Sequence, residues 1–186
     1  MTAPRQTLLV LLALAALGVG GYFTYDRMSK SGPENETNAV IEAVLARRAT
    51  IDAKVDALNA LEKEENLATK RDAIVAAARE AATEAMQVFE QGKLAAIQAH
   101  ARFEAAKTPD EEKYWRLKRD GISKFAEAQR DASAGYKVWD DPTNPDLKTV
   151  RERQSRHFAL ADAAEEEADD LLAQADALWK RKRGKF

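Results

Sequence analysis

Between residues 36 and 107 the chain contains no proline and a single glycine, Gly92. So long a stretch without a breaker, with alanine supplying about a fifth of the chain, favours helix over any other backbone state. Apolar side chains recur at Ile41, Val44, Ile51, Val55 and Leu58. Their spacing, about 3.5 residues, places them on one helical face and resembles a coiled-coil seam. Arg48 interrupts one slot of that stripe. The pattern resumes at Leu67, Ile74, Ala78, Ala81, Ala85, Val88 and Phe89, then at Ala95, Ala99 and Phe103.

The two stripes are out of phase. Extending the first beyond Leu58 lands on Glu62, Glu65 and Thr69, all polar. Either one helix carries a stutter here, or the chain turns back near Asn66, with Thr69 as the next N-cap. The lack of Gly and Pro, and glutamates that would oppose the dipole of a helix C-terminus, favour a continuous helix. The expected fold is therefore all-α: an antiparallel coiled-coil-like bundle of three helices, or of four if the chain turns near Asn66.

Later boundaries are better marked. Thr108, Pro109 and Glu111 have the spacing of a capping box with proline at the first helical position. The helix that follows carries Tyr114, Leu117, Gly121, Phe125, Ala128, Ala132 and Trp139 along one face. Asn144 and Pro145 form a second cap-then-proline pair. After them Leu147, Val150, Gln154, His157, Ala161, Ala164, Ala168, Leu171, Ala175 and Leu178 keep a heptad with small central residues. The predicted helices are 36–107, 109–139 and 145–180, within a bundle spanning 36–179. An antiparallel hairpin at residues 140–144 is expected to set Lys113, Arg116 and Arg119 beside Ala173, Asp170 and Glu167.

Residues 1–6 read as a tail and 7–25 as a transmembrane signal anchor. The uncharged run of roughly 18 residues is about 27 Å long as a helix, just enough for a hydrocarbon core. Residues 26–35, with Ser31, Gly32 and Pro33, read as a linker. This topology implies a single-pass protein of a bacterial inner membrane, its body outside the cytoplasm and its lipid contact through the N-terminal helix. Ala16 and Gly20 could pack that helix against another membrane helix. Gly18-Val19-Gly20 also fits signal peptidase, which gives the alternative: an exported bundle that binds a hydrophobic ligand once the leader is cleaved.

Chemistry is sparse. A net charge of -2 argues against nucleic-acid binding. The absence of Cys excludes disulfides, thiolate catalysis and iron–sulfur clusters. The two histidines, His100 and His157, lack the Glu-x-x-His spacing of a di-iron bundle. No phosphate loop, calcium loop or nucleophile setting is present. The expectation is a non-enzymatic scaffold or interaction protein, an accessory subunit of a cell-envelope membrane complex. It has no catalytic residue, cofactor, metal or evident small-molecule substrate, and has a protein partner or self-association. Trp115 and Trp179 fall beside the regular stripe and form a candidate partner patch. The tail 180–186, with Lys180, Arg181, Lys182, Arg183 and Lys185, is a candidate tether to an anionic surface.

Overall fold

The computed structural model describes residues 33–141 and 146–182, with backbone alone for residue 33 and residues 64–68. The chain divides into two compact units, residues 1–39 and 40–186. The first is described only from residue 33, where α1 begins. The second is the bundle.

Among the described residues, five α-helices and one 3-10 turn make an all-α four-helix bundle: α1 (Pro33–Ala46), α2 (Arg48–Leu61), α3 (Glu64–Glu104), α4 (Pro109–Lys137), a 3-10 turn (Val138–Asp140) and α5 (Leu147–Lys182). Residues 40–46 of α1 run on into α2 through a tightened joint at Arg47. There the Arg47 N–H reaches back three residues to the Val44 carbonyl at 3.2 Å. α3 packs on α4 and α4 on α5 along their lengths, whereas α2 packs chiefly on α3.

The predicted continuous helix over 36–107 is corrected here in favour of the expected alternative, four helices with a turn near Asn66: the chain leaves the helix at Glu62 and Lys63 and kinks again at Lys70, on either side of Asn66. Glu62 (φ -73°, ψ 60°) has the backbone of an inverse γ-turn centre. The turn is closed by the Lys63 N–H, 2.8 Å from the Leu61 carbonyl. Lys63 is extended (φ -116°, ψ 144°) and leads into α3. That turn is open to any L-residue, so the reversal needs neither Gly nor Pro. It is held from a distance: Trp139 Nε1 donates to Glu62 Oε1 at 2.5 Å, and Arg151 donates to the Glu62 carbonyl at 3.4 Å.

The capping box forms as expected, with the Glu111 N–H on Thr108 Oγ1 at 3.2 Å and the Thr108 N–H on Glu111 Oε2 at 3.3 Å. Asn144 and Pro145 lie outside the described residues. The last helix instead starts at Leu147, and Asp146 caps it. The Asp146 carboxylate accepts the Thr149 N–H at 2.7 Å. That hydrogen bond, chiefly, holds the Asp146 carboxyl below its ordinary value.

The antiparallel pairing of α4 and α5 is present, but about two turns from the expected register. Lys118 meets Asp176 at 2.8 Å, Lys124 meets Glu167 at 3.0 Å and Lys182 meets Asp110 at 2.5 Å. Lys113 and Arg116 thus lie level with the end of α5, not with its acidic middle. The α3–α4–α5 sector is joined by small residues. A Cβ placed on Gly92 would sit 2.8 Å from Ala126 Cβ, and one on Gly121 would sit 2.8 Å from Leu172 Cγ. Ala78, Ala81, Ala85, Ala95 and Ala99 line the same seam, fully or almost fully buried.

Among the described residues, no helix is long and apolar enough to cross a membrane. The reason is visible along each rod: every buried stripe is opposed by charged residues on the outer face. Arg79, Glu80, Glu90 and Lys93 do so on α3. The expected transmembrane signal anchor, its lipid contact and the single-pass inner-membrane placement are therefore withdrawn. The role of accessory subunit in a membrane complex, which rested on that anchor, goes with them. Residues 7–25, with Ala16 and Gly20, lie outside the described residues.

Candidate functional site

The interior is filled by its own side chains, so binding chemistry must be sought on the outer faces. α3 turns Ala81, Ala85, Val88, Ala95 and Ala99 inward, which leaves Leu94 and Ile97 on the far side. Leu94 is 61% exposed and Ile97 64%. Three residues apart on a helix, they form one apolar patch. One turn towards the N-terminus the same face becomes a shallow groove of ≈ 460 Å³, with Ala82 and Met86 on its floor. Glu90, Gln91 and Lys137 rim it. The Ala82 carbonyl beneath accepts from Ser133 Oγ at 2.8 Å. That buried bond satisfies both groups and fixes α4 against α3 at this level.

A polar layer crosses the bundle near its middle. Arg48, which interrupts the first stripe, lays its guanidinium 5.2 Å from the centre of the Phe125 ring. This is a cation–π contact. Arg48 Nε lies 2.6 Å from Glu165 Oε1, an ion pair whose angle falls short of a hydrogen bond. Its Nη2 lies 3.0 Å from Asp169 Oδ1. Burial alone would lower the Arg48 guanidinium, but Asp169 and Glu165 outweigh it and hold it above its ordinary value. Burial raises the Glu165 carboxyl despite Arg48. Burial, with Asp52, Glu165, Asp162 and Glu62 nearby, pushes the Tyr136 hydroxyl up to about 12. Gln129 is buried in α4, and its Oε1 has no hydrogen-bond partner among the described residues. Arg48 ties α2 to α4 and α5 at this level.

The residues singled out from sequence are distributed as follows. Trp115 is 3% exposed and belongs to the core. Trp179 is half-buried, and Tyr114 packs against both rings, at 4.9 Å from Trp115 and 5.3 Å from Trp179. The two indoles are thus brought to one end of the bundle, as a cap on its core. Of the basic tail, Lys182 is paired with Asp110, Arg181 Nε donates to the Ala177 carbonyl at 3.4 Å, and Lys180 is exposed. Arg183 and Lys185 lie outside the described residues. His100 is exposed between Arg119 and Glu104, its Nδ1 3.4 Å from the guanidinium and its Nε2 3.5 Å from the carboxylate. His157 is half-buried. Among the described residues, no three His, Cys, Asp or Glu side chains are grouped to hold a metal ion.

Leu94 and Ile97 escaped the sequence reading, which followed the buried stripe alone. Their signal was present: two large aliphatics on the side of α3 opposite Ala95 and Ala99, where polar residues belong. Comparison with protein-family models, curated proteins and solved structures returns no match.

Proposed function

We propose that this chain is a non-enzymatic helical-bundle binding protein, released from its leader after Gly20, that takes an apolar ligand on the outer face of α3. Support for the binding surface comes from one observation: Leu94 and Ile97 stand exposed beside the Ala82–Met86 groove, while the interior is filled by its own side chains. Large aliphatics grouped on an otherwise charged helix face are a common mark of a contact surface. The absence of a nucleophile setting in the sequence supports the non-enzymatic part of the reading. The small-x-small site at Gly18 and Gly20 supports leader removal.

The test takes the mature protein from the producing cell, sequences its N-terminus and titrates it with an anilinonaphthalene-sulfonate probe. The expected results are a start near Gly21 and saturable binding. Replacing Leu94→Glu and Ile97→Glu together should weaken probe binding about tenfold while leaving Tm unchanged. An intact N-terminus would remove the release step. Probe binding that ignores the double substitution would remove the α3 surface.

A further inference from the structure

The strap formed by residues 40–61 is joined to the rest of the bundle by a hinge that the sequence barely specifies. Its non-helical residues are Glu62 and Lys63, followed by a kink at Lys70 (φ -126°, ψ 18°) in the second turn of α3, and no Gly or Pro lies between residues 48 and 91. Glu and Lys are good helix formers. The N–H groups that open α3 receive no side-chain cap from Lys63. What keeps the hinge bent is tertiary: Trp139 and Arg151 on Glu62, and the ion pairs of Arg47 with Glu84, Lys54 with Glu80, and Arg48 with Glu165 and Asp169.

Straightening the hinge and the kink at Lys70 together would make one rod of α2 and α3. Leu58 and Ile74 are sixteen residues apart, so their side chains would then point about 160° apart around that rod. The strap's buried face, carried by Ile41, Val44, Ile51 and Leu58, would be turned away from its own bundle. It could not refold onto the groove it had left, but could serve an identical groove on another molecule.

We propose that this protein exchanges residues 40–61 between two copies of itself. The strap of each chain packs on α3 of the other and reaches its α4 and α5 through Arg48, and residues 62–63 and 70 become helical. The occupant of the opened groove is specified by the structure itself, because Glu80 and Glu84 on α3, Phe125 on α4, and Glu165 and Asp169 on α5 already match Lys54, Arg47 and Arg48 of this strap. Every contact broken within one chain is remade between chains, so exchange is governed by concentration and by the hinge. This proposal is independent of the α3 outer face and of leader removal.

The chain has no cysteine, which makes the exchange directly readable. Lys54 Nζ and Glu80 Oε2 lie 3.3 Å apart across the strap and α3. Full-length Lys54→Cys and Glu80→Cys chains are unfolded together in denaturant, refolded at high concentration and treated with a short bismaleimide. A crosslinked product of twice the chain mass is expected, because the thiol introduced at position 54 of one chain then lies beside the thiol introduced at position 80 of the other. The control is Glu64→Pro placed in both chains. In the closed form the substitution is compatible, since residue 64 is the first of α3 and Lys63 already has the extended backbone that precedes proline. In a continuous helix it is a breaker, so the crosslinked product should fall at least about tenfold. Lys63→Gly, a milder breaker, should give a smaller fall. Circular dichroism confirms that each variant keeps its helix content. Absence of the crosslinked product after joint refolding would overturn the proposal. So would a product that neither hinge substitution reduces, since leader-driven or surface association would survive them.

Discussion

Along α3, α4 and α5 the helices meet almost backbone to backbone, whereas α2 reaches them through side chains. At Gly92 and Gly121 the facing atoms leave no space for a methyl group, and alanines fill the intervening layers. The strap contributes fewer but larger buried groups, Ile51 and Leu58, and is flanked by Arg47, Arg48 and Lys54 in ion pairs. Close apolar contact is short in range and insensitive to salt. Exposed ion pairs are weak singly, about 0.2–1 kcal/mol each, and select register more than they add stability. The three-helix sector should therefore unfold as a unit, and the strap should open below it.

The largest effect should come from Gly92→Leu, which pushes α3 off Ala126 and costs about 3 kcal/mol of global stability by urea unfolding. Retained stability would show that the α3–α4 seam yields more readily than its spacing implies. Leu58→Ala should cost about 2–3 kcal/mol, but locally. Hydrogen exchange would show faster amides in residues 48–61 and unchanged protection in α4; equal acceleration in both would erase the distinction between strap and sector. Gln129→Met should stabilise by about 1 kcal/mol, because it replaces a buried acceptor lacking a partner with an apolar group of similar shape. A loss of stability would reveal a bond that Gln129 makes in solution. The smallest change belongs to Glu62→Gln and depends on pH. Burial raises the Glu62 carboxyl, so the folded state holds its proton more tightly than the unfolded chain. Stability from this group is present below its ordinary value and is lost as pH rises through the raised one. The substitution should thus raise Tm modestly at pH 8 and leave it nearly unchanged at pH 4. A larger gain at low pH would reverse the sign.

Local chemistry was legible in the sequence, and long-range placement was not. The Thr108–Glu111 box could be read because both its hydrogen bonds lie within four residues. The buried stripe of α3 could be read because helical period is a local property, and Ile74, Ala78, Ala81, Ala85 and Val88 all fall inside. The bend at Glu62 showed only as a phase break that a stutter would explain equally well, because Trp139, 77 residues away, donates the hydrogen bond that holds it. The α4–α5 register was not legible for a related reason: it is set by pairs far apart in sequence, Lys118 with Asp176 and Lys182 with Asp110. Arg48 showed as an irregularity in a heptad, but its role beside Phe125, Glu165 and Asp169 required two other helices. Of the candidate site, Leu94 and Ile97 were visible as residues and overlooked as a surface.

The alanine seam also limits how this protein can vary. Side chains there are already near the smallest a helix can carry, so substitution at Ala78, Ala85 or Ala99 is tolerated in one direction only. Drift along α3 is confined to a short alphabet of glycine, alanine and serine. Ser133, whose hydroxyl found the Ala82 carbonyl, is an example already written into the opposing helix.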